Sequence, residues 1–203
     1  MIGDLIRSRR AGSRAEIQTG VEAALERVNR RFSPEQPFRF TIGDEFQGVV
    51  DTVRRAAWAA TWIRLETIGV IGVRLGIGWG TLEILDSTRS PMLQDGPCWW
   101  RARDAIKTLT IWERSQRTPR STSILAVTGD GREGPFNAGL ILVGHLLSGF
   151  DTADATIAIM LSEGHTQEEA ADRLGLHKSS VSRRMQSHGI GALLAAYDAF
   201  GPS

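Results

Sequence analysis

One cysteine, one tyrosine and four histidines are spread over 203 residues, and each scarcity closes a class of explanation. The lone Cys98 excludes an internal disulfide, and no Cys/His cluster has zinc-finger spacing. No Ser-His-Asp or Cys-His order suggests a covalent nucleophile, so Cys98 reads as packed, and the scattered His145 and His165 read as structural. No apolar run reaches the roughly 18–20 residues of a membrane span. The opening Met-Ile-Gly-Asp-Leu-Ile-Arg lacks the apolar core of a secretory signal. A cytoplasmic protein with no membrane partner is therefore expected. A dominant charge sign is missing too. The 24 Lys and Arg against 23 Asp and Glu leave a net charge of +1, so any nucleic-acid surface must be local.

What is present is an ordinary globular composition, 41% hydrophobic and 23% charged, which sets disorder aside. Trp58, Trp62, Trp99, Trp100 and Trp112 fall in helical patterns, where core or dimer-interface packing is expected. Ala15–Phe32 repeats apolar residues at helical spacing. Phe38–Ile42 and Phe46–Val50 alternate as a hairpin around Gly43-Asp44-Glu45. Val53–Ile68 is a helix. Gly72–Ile84 reads as one strand, with Val73, Leu75, Ile77 and Trp79 on one face and glycines that admit a backbone or a ligand. A helix follows from Gly96-Pro97 to Glu113, then a basic loop over Arg114–Arg120 and a strand over Ser123–Thr128. From Phe136 onward everything reads as helix. The expected class is α+β: a βαββ sheet domain over residues 1–135, then an all-α domain over 136–203.

The all-α part carries a helix-turn-helix grammar. Thr166-Gln167-Glu168-Glu169 has the capping-box form, Ala170 is small where two helices would touch, and Gly175 ends the first helix. Val181 faces the core from the second helix. Ala153–Ser162 would brace the pair, and Gly191–Phe200 would close the bundle. The second helix has no acid between His177 and Gln186. Ser179, Ser180 and Arg183 would meet base edges in the major groove of double-stranded DNA, Lys178 and Arg184 its phosphates, and Ser182 belongs to the same DNA-binding set. The acids Glu163, Glu168, Glu169 and Asp172 are expected to face away. About 35 residues here resemble the helix-turn-helix of sigma-factor region four and of many bacterial regulators. A helical hairpin serving dimerisation is the alternative.

In the front domain, Gly3-Asp4-Leu5-Ile6-Arg7-Ser8-Arg9 and Gly43-Asp44-Glu45-Phe46-Gln47-Gly48 stand out. One Asp follows a first strand that is short, with only Met1 and Ile2 ahead of Gly3. The other lies at a hairpin tip. A βαββ order brings both carboxylates to one edge of the sheet, where Mg²⁺ or Mn²⁺ holding a nucleotide triphosphate would suit them. Taken singly, Asp4 also fits a helix N-cap and Asp44 a turn residue. Arg7, Arg9, Arg10 and Arg14 form a basic cluster that fits phosphate, DNA or plain solvent.

The βαββ order, the Asp pair and Arg74-Leu75-Gly76-Ile77-Gly78-Trp79-Gly80 resemble the palm-like domain of class III nucleotide cyclases and diguanylate cyclases. More closely, GDLIRSR, GDEFQG, RLGIGWG and DGPCWWRARDAI resemble the SatD family, over residues 1 to about 115 and, with the helical module, most of the chain. The resemblance implies Asp4 and Asp44 as metal ligands, with the Leu5 carbonyl as a third. Cyclases often carry an Asn–Arg pair one helical turn apart. The nearest match is Trp99 and Arg103, so the arginine is retained to neutralise phosphate and the asparagine is not. Arg101 is a second anion candidate. No catalytic residue is assigned, and enzymatic activity is left open. Two functions are expected to compete. One is a homodimeric DNA-binding regulator whose front domain senses a nucleotide or dimerises. The other is a divalent-metal-dependent nucleotide cyclase or nucleotidyltransferase-like enzyme using Asp4 and Asp44.

Overall fold

Glycines and alternating apolar residues in the first two thirds of the chain build a sheet. The computed structural model describes residues 1–6, 13–41, 43–89, 92–115 and 123–201. The chain runs β1 (Ile2–Leu5), α1 (Arg14–Phe32), β2 (Gln36–Phe40), β3 (Glu45–Val49), α2 (Val53–Glu66) and β4 (Val73–Gly78). A separate hairpin of β5 (Glu83–Asp86) and β6 (Leu93–Asp95) precedes α3 (Pro97–Arg114) and β7 (Ile124–Val127). Helices complete the chain: α4 (Gly134–Ser148), α5 (Thr152–Ser162), α6 (Gln167–Leu174), α7 (Lys178–Ser187) and α8 (Ile190–Phe200).

The main sheet has the order β2-β3-β1-β4-β7. β1 is antiparallel to both neighbours, and β7 adds parallel to β4. Each of β1-α1-β2 and β3-α2-β4 therefore skips one strand that belongs to the other unit. These are two interleaved split βαβ units, the ferredoxin-like arrangement. The fold is α+β, as the sequence implied. β1 is short but central, and Asp4 lies inside it rather than at a helix cap. Ser13 is the N-cap of α1 and accepts from the Glu16 N–H.

Register decides which face each residue takes. Partners directly opposite in an antiparallel pair share a face. Gly3 lies opposite Phe46 and Leu75, and these face the core built by Val21, Leu25 and Val28 of α1 and Trp62 and Ile63 of α2. The missing side chain at Gly3 is filled by the Phe46 ring, which a Cβ there would meet at 2.1 Å. Asp4 lies opposite Glu45 on one side and Arg74 on the other, on the face that α3 covers. α3 comes so close that a Cβ on Gly76 would lie 2.3 Å from the Ala102 carbonyl oxygen, and one on Gly78 1.9 Å from that of Cys98. The glycines of this strand thus admit a helix backbone, not a ligand.

Two expectations for this stretch change. The apolar run does not continue as one strand, because β4 ends at Gly78 and Trp79 is 44% exposed. The β5–β6 hairpin falls where no strand pair is expected, although Asp86 announces its turn by accepting from the Thr88 N–H at 2.9 Å. Among the five helix-pattern tryptophans, Trp58, Trp62 and Trp99 are buried, while Trp100 is 58% exposed and donates to Asp95.

The composition changes near residue 135, yet one hydrophobic cluster includes residues from both sides of that point. Asn137 of α4 pairs with the Ala126 peptide of β7 through both amide atoms, at 2.8 and 2.9 Å. Tyr197 of α8 packs on Trp58 and Trp62 of α2, with ring centroids 5.0 and 4.5 Å apart. Trp58 also donates to the Phe200 carbonyl at 2.9 Å. Among the described residues, no helix is long and apolar enough to cross a membrane.

Candidate functional site

The end of β1 and the tip of the β2–β3 hairpin meet. The Leu5 N–H donates to the Asp44 carbonyl at 3.1 Å, and Gly43 turns the chain with φ of +72°. Asp4, Asp44 and Glu45 therefore cluster at one edge, as the βαββ order required. Arg74 donates to Asp4 at 2.5 Å and to Glu113 of α3 at 2.5 Å. Burial pushes the Asp4 carboxyl above its usual range. Arg74 pulls it back, but the nearby Asp44 and Glu45 charges push it up again, and the net shift is upward. The acid is thus incompletely neutralised by its arginine. No group of three His, Cys, Asp or Glu among the described residues is arranged to hold a metal ion, and Arg74 competes for the Asp4 oxygen that one would need.

The two arginines considered for phosphate part company. Arg103 reaches the cluster by binding both oxygens of Glu45. Arg101 points the other way, donating to the Trp79 carbonyl at 2.5 Å. A Cβ on Gly129 would lie 2.4 Å from its guanidinium, so Arg101 spans the far ends of β4 and β7. Trp99 does not line the acid cluster as a ribose-binding group would. It is buried between α3 and β1 with Ile2, Cys98 and Ala102. Burial also pushes the Cys98 thiol up, which fits packing rather than nucleophilic chemistry. Arg7, Arg9 and Arg10, and most of the basic loop after Arg114, lie outside the described residues.

The second assembly is the α6–α7 pair. Thr166 accepts from the Glu169 N–H at 3.2 Å while Glu169 accepts from the Thr166 N–H at 2.6 Å, a complete capping box. Gly175 closes α6 with φ of +64°, a conformation costly for a side chain. Ala170 and Val181 are fully buried where the helices meet. Lys178, Ser179 and Arg183 are exposed on α7, while Ser180 and Ser182 are half-buried. One expectation fails here. Glu168 does not face away but lies beside the start of α7, with Lys178 Nζ 3.4 Å from its carboxylate.

A family model matches residues 1–199, and its description is the SatD family. The chain belongs to the SatD family. No curated protein and no solved structure matches it.

In this SatD family member, Arg184 has a partner set that its place on α7 does not announce. Expected at a phosphate, Arg184 turns inward here and donates to Asp151 at 2.9 Å and to Asp154 at 2.7 Å. His188 Nδ1 lies 2.9 Å from Asp154 as well. Asp151 and Asp154 form the capping box of α5, so α7 is fastened to the start of α5. The Asp-x-x-Asp spacing at residues 151–154 is the available signal, and a helix taken to start at Ala153 hides it. Glu45, Arg74 and Glu113 also join the acid cluster without being expected there. The signal for Glu45 and Arg74 is strand register, which a single sequence does not print, and Glu113 arrives on α3.

Proposed function

We propose that this protein is a DNA-binding regulator that reads double-stranded DNA with α7. The observation that carries the reading is the outward face of that helix. Lys178, Ser179 and Arg183 stand exposed on a helix held by a capping box, a left-handed glycine and the buried Ala170 and Val181. These features support a helix-turn-helix reading, in which the second helix enters the major groove by its N-terminal half. Arg183 would bind a base edge and Lys178 a phosphate, exchanging Glu168 for DNA. Arg184 holds the helix in place instead of touching DNA. A homodimer would present two such helices to a palindromic site, and the sheet domain would sense a nucleotide or supply the dimer contact.

A mobility-shift titration on DNA from upstream of the protein's own coding region tests this. Binding at low salt that weakens as salt rises is expected. Arg183→Ala should lose about tenfold or more in affinity. Lys178→Ala should lose less and lower the salt slope by about one. No shift at low salt, or an unchanged Arg183→Ala variant, rejects the reading.

A second reading is supported by the Asp4–Asp44 meeting at one sheet edge. There the protein would be a Mg²⁺- or Mn²⁺-dependent nucleotidyl enzyme, with Arg74 displaced from Asp4 and Arg103 freed toward phosphate. Incubation with each nucleoside triphosphate and Mn²⁺ tests it, and product unaffected by Asp44→Ala counts against it.

A further inference from the structure

We propose that the cavity between α1, α2, α5 and α6 binds a small phosphate-bearing anion. The cavity has a volume of about 690 Å³, in the range of small-molecule sites. Four arginines line it, Arg27, Arg30, Arg31 and Arg173, against two glutamates, Glu66 and Glu163. The cations are not equally spent. Arg27 binds Glu66 at 2.7 Å, and Arg31 lies 3.7 Å from Glu163. Arg30 and Arg173 have no ion-pair or hydrogen-bond partner among the described residues, and both are exposed at the rim.

The interior of the cavity has the same bias. Trp62 is 1% exposed and lines it, and its indole N–H has no acceptor. The Nε–H of Arg31 is likewise buried without one. The Arg31 guanidinium cannot swing away to find a partner. It lies over the rings of Trp62 and Tyr197 at 4.6 and 5.3 Å and donates to the Ser162 carbonyl at 3.2 Å. Two residues of the wall carry buried donors without acceptors, and two unpaired cations stand at the opening, a bias that favours a ligand that only accepts. A carboxylate supplies two acceptor oxygens on one plane. A phosphate supplies three or more in a tetrahedron, which suits donors converging from α1, α2 and α6.

The placement gives the site a consequence. Arg173 lies in the last turn of α6, two residues before the Gly175 turn that aims α7. A bound anion would tie α6 to α1 and so join the sheet domain to the α6–α7 pair. The site lies apart from the Asp4 cluster, and its binding test does not depend on the DNA reading.

Calorimetric titration of the full chain with pyrophosphate tests the proposal. Saturable binding is expected, weakened about tenfold or more in Arg30→Gln/Arg173→Gln, whose parent side chains hold no folding contact. Arg132→Gln, at an exposed loop cation outside both candidate sites, should bind as the parent does. In a ¹⁵N spectrum the Trp62 indole N–H, identified with Trp62→Phe, should move on titration, because Trp62 forms part of the cavity wall. No saturable binding, binding unchanged in Arg30→Gln/Arg173→Gln, or binding lost in Arg132→Gln overturns it. So does a spectrum in which only duplex DNA, and not pyrophosphate, shifts that indole. If Trp62→Phe does not fold, the arginine variants still decide.

Discussion

Arg74 and Arg184 each bridge two carboxylates, and the two clusters differ in what remains around them. Arg184 faces Asp151 and Asp154, which together also cap α5 and take a further contact from His188. Asp154 is 1% exposed, and the polar groups around it are paired. Burial alone would push Asp151 up, but the Asp154 N–H and the Arg184 guanidinium pull it below the ordinary carboxylate range. Arg74 faces Asp4 and Glu113, with Asp44 and Glu45 close by, and Asp4 is pushed up despite its arginine. One cluster is charge-satisfied and fastens two helices. In the other, burial and the neighbouring Asp44 and Glu45 carboxylates outweigh the pull of Arg74 on Asp4. An ion pair read alone does not distinguish structure from function.

The largest effect expected from breaking this contrast falls on the satisfied cluster. Asp154→Ala leaves Arg184 with only Asp151 and removes the acceptor that closes the α5 capping box. Removing one partner from a buried pair costs about 3–5 kcal/mol. Urea unfolding of the variant should show a loss of that size, and α7 should lose hydrogen-exchange protection before β1 does. A loss under about 1 kcal/mol would mean that the cluster does not fasten α7.

The local grammar of the helical part is legible in the amino-acid order. Thr166, Ala170, Gly175 and Val181 each act through neighbours within a few residues, and each takes its expected place. The βαββ element order is legible for a similar reason: alternation and turn residues are local, and the ends of β1 and of the β2–β3 hairpin meet where that order sends them. What is illegible depends on long sequence separation. Arg184 finds Asp151 and Asp154 about thirty residues upstream, and its exposed-looking position on α7 gives no hint of it. Arg74 finds Asp4 seventy residues away through strand register. The spacing that suggests Trp99 and Arg103 as a pair is real, but helix α3 turns one into the core and the other over Glu45.

A middle effect is expected from Gly78→Ala. The new methyl would strike the Cys98 carbonyl, which is backbone and cannot rotate away, so α3 must move off the sheet. Overpacking of this kind costs about 1–3 kcal/mol. Because α3 carries Arg103 and Glu113, the Asp4 cluster should loosen while the Arg184 cluster stays intact. Hydrogen exchange should therefore show lost protection in α3 with α7 unchanged. Equal loss in both helices would show that the two clusters are not independent.

The smallest effect belongs to Asp4→Asn, and its pH dependence has the opposite sign to that expected from Asp151. A carboxyl raised in the folded state holds its proton more tightly there than in the unfolded chain. Stability therefore falls as pH rises from the ordinary value of about 4 to the raised one. Asp151, lowered on folding, contributes stability that is present above about 4 and lost as pH falls through its folded value. Arg74 keeps Glu113 in the variant, so Asp4→Asn should cost about 1 kcal/mol or less at neutral pH. It should also flatten the fall in stability above pH 4 while leaving the acid-side loss from Asp151 in place. Urea midpoints measured across pH 3 to 7 for parent and variant read both signs at once. A variant that loses stability more steeply than the parent as pH rises would mean that Asp4 is satisfied by Arg74 after all, and the two clusters would then be alike.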